Sequence, residues 1–311
     1  MILFFIYNEI MQIFTDVNEN IHLSLALGYF DGVHLGHQAV IKNAVDFAKK
    51  NNIKSAVVTF KDHPCCFFNG VCPKYILSRT EREKRIAKLG IDFIYELDFE
   101  KIKDLTAEEY LKNILIKNFR PKAITTGFNH HFGTQKTGDV EYLGKMQNVY
   151  NYKYYEVPPQ KIDGVTISST KIRNALSNGL IAKANEMLGA EFSISGKVIE
   201  GQKLGRELGF RTANLLYPSE LITLPFGAYA TKVTLKGEQY QGVTNFGQRP
   251  TVQGKNPIVE THILNFDKDI YGEIINIEFT KMLRKEQKFA SLDELKTQIK
   301  KDICYAGRYL Q

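Results

Sequence analysis

Two histidines lie three residues apart in the stretch GYFDGVHLGHQAVI, residues 28–41, where they could act on a phosphate group. His34 and His37 follow an apolar run and precede a helical pattern, so their spacing predicts both imidazoles on one side of a helix start. Backbone N–H groups and the helix dipole attract anions at such a position. The two rings could donate hydrogen bonds to phosphate oxygens and stabilise charge on a leaving pyrophosphate. Neither G-x-x-x-x-G-K-[ST] nor G-x-G-x-x-G occurs, so phosphate must be held in another way.

A second polar group occurs in the stretch ISSTKIR, residues 167–173. Ser169 and Thr170 fall at a predicted helix start, and Arg173 follows one turn later. Hydroxyls, N–H groups and a guanidinium could converge there on a polyphosphate. An ordinary helix cap would explain Ser169 alone, but not the whole set beside an H-x-G-H motif.

A third group lies in GKVIEGQKLGRELGFRTANL, residues 196–215, which carries glycines spaced four apart. These are Gly201, Gly205 and Gly209, and turns between strands would also explain them. Thr212 and Asn214 share one side of the chain if the segment is extended, and their oxygens suit Mg²⁺ held together with ATP phosphates. Glu260 lies in the β-branched run VETHIL, so it either has a partner or serves as a base.

The elements that must position these residues change character along the chain. Up to about residue 176, strand-like runs such as LSLALGYF, SAVVTF and KAITTG alternate with helical patterns. Repeated βα units predict a parallel sheet with ligands at the carboxyl ends of its strands. From about Phe192 onward, short β-rich runs separated by Gly, Pro and Asn predict an antiparallel sheet or small barrel, followed by an amphipathic helix.

Composition places the chain among ordinary globular proteins. It has 311 residues, 43% hydrophobic and 24% charged, which suits two domains. Its net charge of +7 favours anionic partners without choosing among them. The four cysteines form no C-x-x-C pair, so we expect reduced thiols; a metal site at His63 and the cysteines near it is a weak alternative. The apolar N-terminus is neither a convincing signal peptide nor a membrane span, and Met11 could be the true start.

The first two motifs and GFNHHFGTQKTGD together resemble the adenylyltransferase module of bacterial bifunctional riboflavin kinase/FAD synthetases, an H-x-G-H nucleotidyltransferase family, over roughly residues 11–180. The resemblance implies transfer of AMP from ATP to FMN, by direct attack of an FMN phosphate oxygen on the α-phosphorus. By motif position, the nucleotide-binding residues are Gly28, Phe30, Asp31, Gly36, Ser169 and Thr170, the catalytic residues are His34, His37 and Arg173, and the flavin-binding residue is Asn129.

The stretches GKVIEGQKLGRELGFRTANL, FGAYAT, GVTNFGQRPT, VETHILNFDKDIYG and LRKEQKF resemble the riboflavin kinase module of the same family. The implied reaction is phosphorylation of the riboflavin 5′-hydroxyl by ATP on a six-stranded barrel. By motif position, Gly201 and Gly205 bind nucleotide, Thr212 and Asn214 bind Mg²⁺, Glu260 accepts the hydroxyl proton, and Arg284 contacts flavin.

Three positions depart from the family pattern. Tyr29 stands where the family often has Asn, and His130 stands where an aromatic residue is usual. Arg211 replaces the proline of the P-T-A-N signature, whose fixed φ would help to preset Thr212. The phosphate chemistry should survive the first two changes, whereas Arg211 either is tolerated or slows the kinase.

We therefore predict an α/β + β protein: a Rossmann-like H-x-G-H nucleotidyltransferase domain at 11–182, then a six-stranded antiparallel β-barrel riboflavin kinase domain with a C-terminal helix at 191–311. It would make FMN from riboflavin and FAD from FMN, with ATP and Mg²⁺. The alternatives are a monofunctional FAD synthetase whose kinase is impaired by Arg211, and a non-catalytic flavin-sensing or nucleic-acid-binding module. We expect a cytoplasmic monomer or weak homo-oligomer without nucleic-acid or membrane partners.

Overall fold

The computed structural model describes residues 2–6, 9–14, 21–69, 72–201, 209–248 and 257–309. Gly205, a predicted nucleotide-binding residue, lies outside the described residues. Contacts divide the chain into two units. Residues 1–73 and 82–167 form the N-terminal unit, and residues 74–81 and 168–311 form the barrel unit.

A seven-stranded sheet organises the N-terminal unit, in the order β1-β2-β5-β4-β3-β6-β7. Strands β1 and β2 are antiparallel, and all other neighbouring pairs are parallel. The strands are β1 Ile2–Ile6, β2 Glu9–Phe14, β3 Leu23–Leu27, β4 Lys54–Phe60, β5 Phe93–Leu97, β6 Pro121–Gly127 and β7 Lys153–Val157. A two-stranded hairpin follows, β8 Lys161–Ile162 and β9 Val165–Thr166.

Helices connect these parallel strands, as the alternating sequence pattern predicts. They are α1 Leu35–Asn51, α2 Cys65–Asn69, α3 Arg79–Ala87, α4 Ala107–Glu109, α5 Lys117–Phe119 and α6 Val140–Tyr150. A π-helical stretch, Tyr110–Ile116, joins α4 to α5. A capping box of Thr106 and Glu109 is present at the start of α4. The apolar face of α1, with Ile41 and Ala44 fully buried, covers the sheet next to β3.

A disulfide joins Cys66, in α2, to Cys72, which follows this helix in the chain, with 4.4 Å between their Cα atoms. The expectation of four reduced thiols is therefore wrong for this pair, because the chain returns within the distance that a disulfide requires. Cys65 and Cys304 are free and exposed. Within the described residues, no three His, Cys, Asp or Glu side chains form a group that could hold a metal ion, so the weak metal alternative gains no support.

The barrel unit contains a six-stranded antiparallel sheet, in the order β10-β15-β12-β13-β14-β11. Its strands are β10 Phe192–Lys197, β11 Ala213–Leu216, β12 Gly227–Leu235, β13 Glu238–Gly247, β14 Ile258–Ile263 and β15 Ile274–Lys285. An antiparallel bridge between Ile199 and Asn214 links the edge that follows β10 to β11, which nearly closes the barrel. Inside, the hydroxyls of Thr231, Thr244 and Thr261 form a buried hydrogen-bonded chain.

Three helices belong to the same unit: α7 Ser169–Ser177, α8 Ile181–Leu188 and α9 Leu292–Ala306. Helix α9 contacts β12, β13 and β15 and buries Asp302 and Ala306. The predicted fold, a parallel βα sheet followed by a six-stranded antiparallel barrel and a C-terminal helix, is confirmed. The domain bounds 11–182 and 191–311 stay a prediction; contacts group α7 and α8 with the barrel strands.

No helix in the described part of the chain is both long enough and apolar enough to span a membrane.

Candidate active sites

The turn between β3 and α1 has an unusual backbone. Phe30, Gly32 and Val33 have φ values of 59°, 84° and 45°, all in the left-handed region. The Val33 N–H donates to the Phe30 carbonyl at 3.1 Å, which closes the turn. Phe30 and Val33 are buried, and this packing offsets the cost of left-handed φ values in residues other than glycine. The turn places His34 at the start of α1.

His34 is the N-cap of α1, and its Nδ1 accepts a hydrogen bond from the backbone N–H of His37 at 3.3 Å. The two imidazole rings are stacked, with 3.6 Å between centroids, and Phe30 contacts the His37 ring edge-on at 5.3 Å. A Cβ at Gly36 would lie 3.1 Å from His34 Cε1, so the glycine leaves room for this stack. The predicted placement of both rings on one side of the helix start is therefore present.

Burial determines the protonation state of His34. The side chain is 7% exposed, and desolvation lowers the pKa of His34 to about 4. The ring is therefore neutral at pH 7. Because Nδ1 accepts a hydrogen bond, the single proton belongs on Nε2, which can donate to a phosphate oxygen.

The carboxyl ends of β3, β4 and β6 share one edge of the sheet, because these neighbouring strands are parallel. The segment after β4 brings the His63 ring to 4.6 Å from Tyr29. The loop after β6 carries Asn129, whose side chain is exposed, and His130. Burial and the nearby His131 lower the pKa of His130 to about 4. Asp31, predicted to bind nucleotide, is 3% exposed within the turn itself.

The residues of α7 that are predicted to bind phosphate lie in the barrel unit. The Ser168 hydroxyl caps the helix by accepting from the Lys171 N–H at 3.4 Å, with Ser169 and Thr170 following in the first turn. The Nε of Arg173 donates to the Lys74 carbonyl at 2.8 Å. One guanidinium nitrogen is thus committed to the backbone, which orients the side chain.

A cleft of about 70 Å³ lies on the barrel, lined by Gly201, Thr212 and Asn214 among others. Asn214 is 3% exposed, and its Nδ2 donates to the Thr212 carbonyl at 3.2 Å. Its Oδ1 is buried and has no hydrogen-bond partner among the described residues. A Cβ at Gly201 would lie 2.5 Å from Asn214 Nδ2, so only glycine leaves space for the amide. A buried amide oxygen without a partner is suited to a cation or a ligand donor.

One row of side chains crosses the barrel. Glu260 pairs in register with Asn214 on one side and with Asn245 on the other. Asn245 pairs with Ala228, and Ala228 pairs with Arg284. Paired residues of neighbouring strands lie on the same face, so the metal candidate Asn214 and the base candidate Glu260 are neighbours.

Arg284 has a structural contact that the sequence does not reveal. Its guanidinium makes a bidentate pair with Asp302 on α9, with Nε 3.0 Å and Nη2 2.9 Å from Oδ2 and Nε also 3.1 Å from Oδ1. Its predicted flavin contact stays a prediction.

Asn245, which pairs with Glu260 in this row, is not among the site residues that the motifs predicted. Only its position as a polar residue between Thr244 and Phe246 in GVTNFG pointed to it.

A βα sheet with an H-x-G-H turn, joined to an antiparallel barrel with a polar cleft, defines a two-domain transferase that uses nucleotides. The sequence profile of the family described as FAD synthetase matches residues 16–171, and that of the family described as riboflavin kinase matches residues 188–310. The chain belongs to the family of bifunctional riboflavin kinase/FMN adenylyltransferases, enzymes of FMN and FAD biosynthesis.

Several relatives are similar over nearly their whole length. The bifunctional riboflavin kinase/FMN adenylyltransferase of Buchnera aphidicola subsp. Schizaphis graminum is 36% identical over 93% of this chain and 95% of that protein. That of Escherichia coli K12 is 36% identical over 92% of each. A crystal structure of a protein named macrolide-efflux protein, from Streptococcus pneumoniae, matches with a TM-score of 0.87 and 31% identity over 95% of this chain and 98% of that one.

Proposed function

We propose that the barrel unit phosphorylates riboflavin to FMN and that the H-x-G-H site adenylylates FMN to FAD, each with ATP. The observation that carries this proposal is that each matched family region has its own cluster of polar side chains. The stacked histidines at the start of α1 lie in one region. The row containing Asn214 and Glu260 lies in the other.

In the adenylylation step, an FMN phosphate oxygen attacks the α-phosphorus of ATP and pyrophosphate leaves. His34 and His37 donate hydrogen bonds to the phosphate oxygens as charge builds up on the leaving group. His34 does so as a neutral imidazole, through Nε2–H. The positioning of both substrates by Phe30, Asp31 and the loop of Asn129 accounts for the rest of the rate. The positive charge that Arg173 would supply toward polyphosphate stays a prediction.

In the kinase step, Glu260 accepts the proton of the riboflavin 5′-hydroxyl. The hydroxyl oxygen attacks the γ-phosphorus of ATP, and ADP leaves. The Thr212 hydroxyl and the Asn214 Oδ1, which has no hydrogen-bond partner among the described residues, are hard oxygen donors that fit Mg²⁺. When bound, Mg²⁺ neutralises charge on the phosphates. Asn245, next to Glu260 in the row, helps to fix the carboxylate.

The test is an incubation of the purified protein with riboflavin, ATP and Mg²⁺, with riboflavin, FMN and FAD separated by chromatography over time. FMN should appear before FAD. His37→Ala should lower FAD formation from added FMN by about 10²- to 10³-fold while FMN formation continues. Glu260→Ala should lower FMN formation by about 10²- to 10⁴-fold while added FMN still becomes FAD.

Each variant serves as the other's matched control. Equal loss of both activities in a folded His37→Ala protein would contradict the two-site assignment. Wild-type protein that leaves riboflavin unchanged but converts FMN would indicate the monofunctional alternative. No turnover of either flavin would favour the non-catalytic module.

We also propose a cytoplasmic monomer or weak homo-oligomer that needs no nucleic acid or membrane. The consumption of ATP in both steps supports this location. Native mass spectrometry at micromolar concentration tests the oligomeric state.

A further inference from the structure

Arg211, immediately before Thr212, is tied to two other segments of the barrel unit. Its Nη1 donates to the backbone carbonyl of Asp267 at 2.6 Å. Its own backbone carbonyl lies 2.8 Å from Nδ1 of His262, and because a carbonyl can only accept, the ring nitrogen is the donor. Side chain and backbone of one residue are thus held from two directions.

The first tie connects two segments that line the cleft. Arg211 and Thr212 belong to one lining segment, and Phe266, Lys268 and Asp269 belong to the segment around the Asp267 carbonyl. The guanidinium of Arg211 therefore links the segment of Thr212 to the backbone of the second segment.

The second tie, from His262 to the Arg211 carbonyl, links Arg211 to β14, the strand that carries the candidate base Glu260. His262 lies on β14 two residues after Glu260, so the two side chains share a face. The edge of the Phe210 ring also meets the His262 ring, with 5.5 Å between centroids at an angle of 85°. The backbone just before Thr212 is thereby fixed relative to the strand that carries Glu260.

We propose that Arg211 is a positioning residue of the riboflavin kinase site, which uses its ties to Asp267 and His262 to hold Thr212 and Asn214 in place to bind the metal and the nucleotide phosphates. This rests on the proposed kinase function. At this position a proline would restrict the backbone through its own ring, whereas Arg211 restrains it through contacts with neighbouring segments.

Kinetics separate positioning from direct phosphate contact. Arg211→Ala should raise the KM for Mg·ATP in riboflavin phosphorylation about tenfold, with a smaller change in kcat. Arg211→Pro, which restores backbone restraint without a charge, should recover most of that loss. If Arg211→Pro is as impaired as Arg211→Ala while Arg211→Lys is active, the guanidinium acts as a charge on the phosphate and the positioning role is overturned.

His262→Ala removes the second tie and should also raise the KM for Mg·ATP. The double variant Arg211→Ala/His262→Ala should lose less than the product of the two single effects, because both act on the same backbone segment. Fully multiplicative losses would mean that the two residues act independently and would contradict the proposal.

Hydrogen exchange of the full chain without ligand gives a readout that does not depend on activity. In Arg211→Ala, amides in 209–216 and 264–271 should both exchange about tenfold faster than in wild type, with Arg211→Pro restoring the first segment only. Unchanged exchange in both segments would overturn the proposal even if kinase activity fell.

Two controls locate any failure. Lys300→Ala removes an exposed cation of α9 and should leave the KM for Mg·ATP and the exchange unchanged. FAD formation from added FMN should be equal in all variants, which excludes general unfolding. If wild-type protein does not phosphorylate riboflavin at all, the proposed function fails, while the exchange experiment still decides whether Arg211 holds the two segments.

Discussion

Gly201 leaves room for the Asn214 side chain, and the kinase cleft depends on that space. A methyl group at Gly201 would lie 2.5 Å from Asn214 Nδ2 and would displace the amide, whose Oδ1 has no hydrogen-bond partner in the part of the chain that the structure describes. Gly201→Ala should therefore lower riboflavin phosphorylation by about 10- to 100-fold, since the overpacking costs about 1–3 kcal/mol at the site. Initial rates of FMN formation at saturating riboflavin measure the effect.

The matched control for this variant is Gly307→Ala, where a Cβ would meet its first neighbour at an ordinary 3.7 Å and φ is −57°. That protein should keep full kinase activity. FAD formation from added FMN should also persist in Gly201→Ala. A Gly201→Ala protein with wild-type kinase rates would show that the Asn214 amide is not needed in its present position.

For individual residues, the sequence predicts contacts between residues that are close along the chain. It does not predict contacts between residues that are far apart in sequence. His34 and His37 could be predicted to lie together because three residues along one helix set their separation. The contact between Arg211 and Asp267 spans 56 residues of sequence, and no spacing rule indicates it. The partner of Arg284 was hidden for the same reason.

Among the elements, the alternation of strands and helices was predictable because each buried strand and each helix face has its own hydrophobic period. Strand β11 was not predicted, since its four residues are too few to show a period. The strand order of the barrel depends on pairing between distant strands, such as β10 with β15, and cannot be predicted from local pattern.

The link between β15 and α9 rests on the pair of Arg284 and Asp302, whose side chains are 20% and 3% exposed. Asp302→Asn removes the charge from a buried carboxylate that two donor nitrogens of Arg284 and the Gln298 amide contact. The variant should lower the free energy of unfolding by about 1–3 kcal/mol, because Arg284 is left without a charged partner. Urea unfolding of the full chain, followed by circular dichroism, measures the change.

Glu186→Gln on α8, an exposed carboxylate in the same unit, is the control and should change stability by less than about 0.5 kcal/mol. Equal stability of Asp302→Asn and wild type would mean that the pair does not hold α9 against the strands.

At the scale of the whole molecule, two histidines whose pKa values are lowered, His34 and His130, lie in the N-terminal unit. Burial lowers the pKa of His34 and of His130 to about 4, against 6.5 when exposed. Between pH 6.5 and 4 the unfolded chain therefore binds more protons than the folded one, and folding stability falls as the pH falls. Each group contributes about 1–3 kcal/mol over this window, which is present above pH 6.5 and lost toward pH 4.

We therefore expect acid to destabilise the N-terminal unit. Incubation near pH 5 should abolish FAD formation from FMN, measured after the protein is returned to pH 7.5. His130→Phe removes one of these groups and should reduce the pH dependence of the N-terminal unit's stability, measured by hydrogen exchange in β3 and β6 from pH 4.5 to 6.5. A His130→Phe protein with the full wild-type dependence would contradict the assignment of buried neutral His130, and a wild type whose N-terminal unit is equally stable at pH 4.5 and 6.5 would contradict it for both histidines.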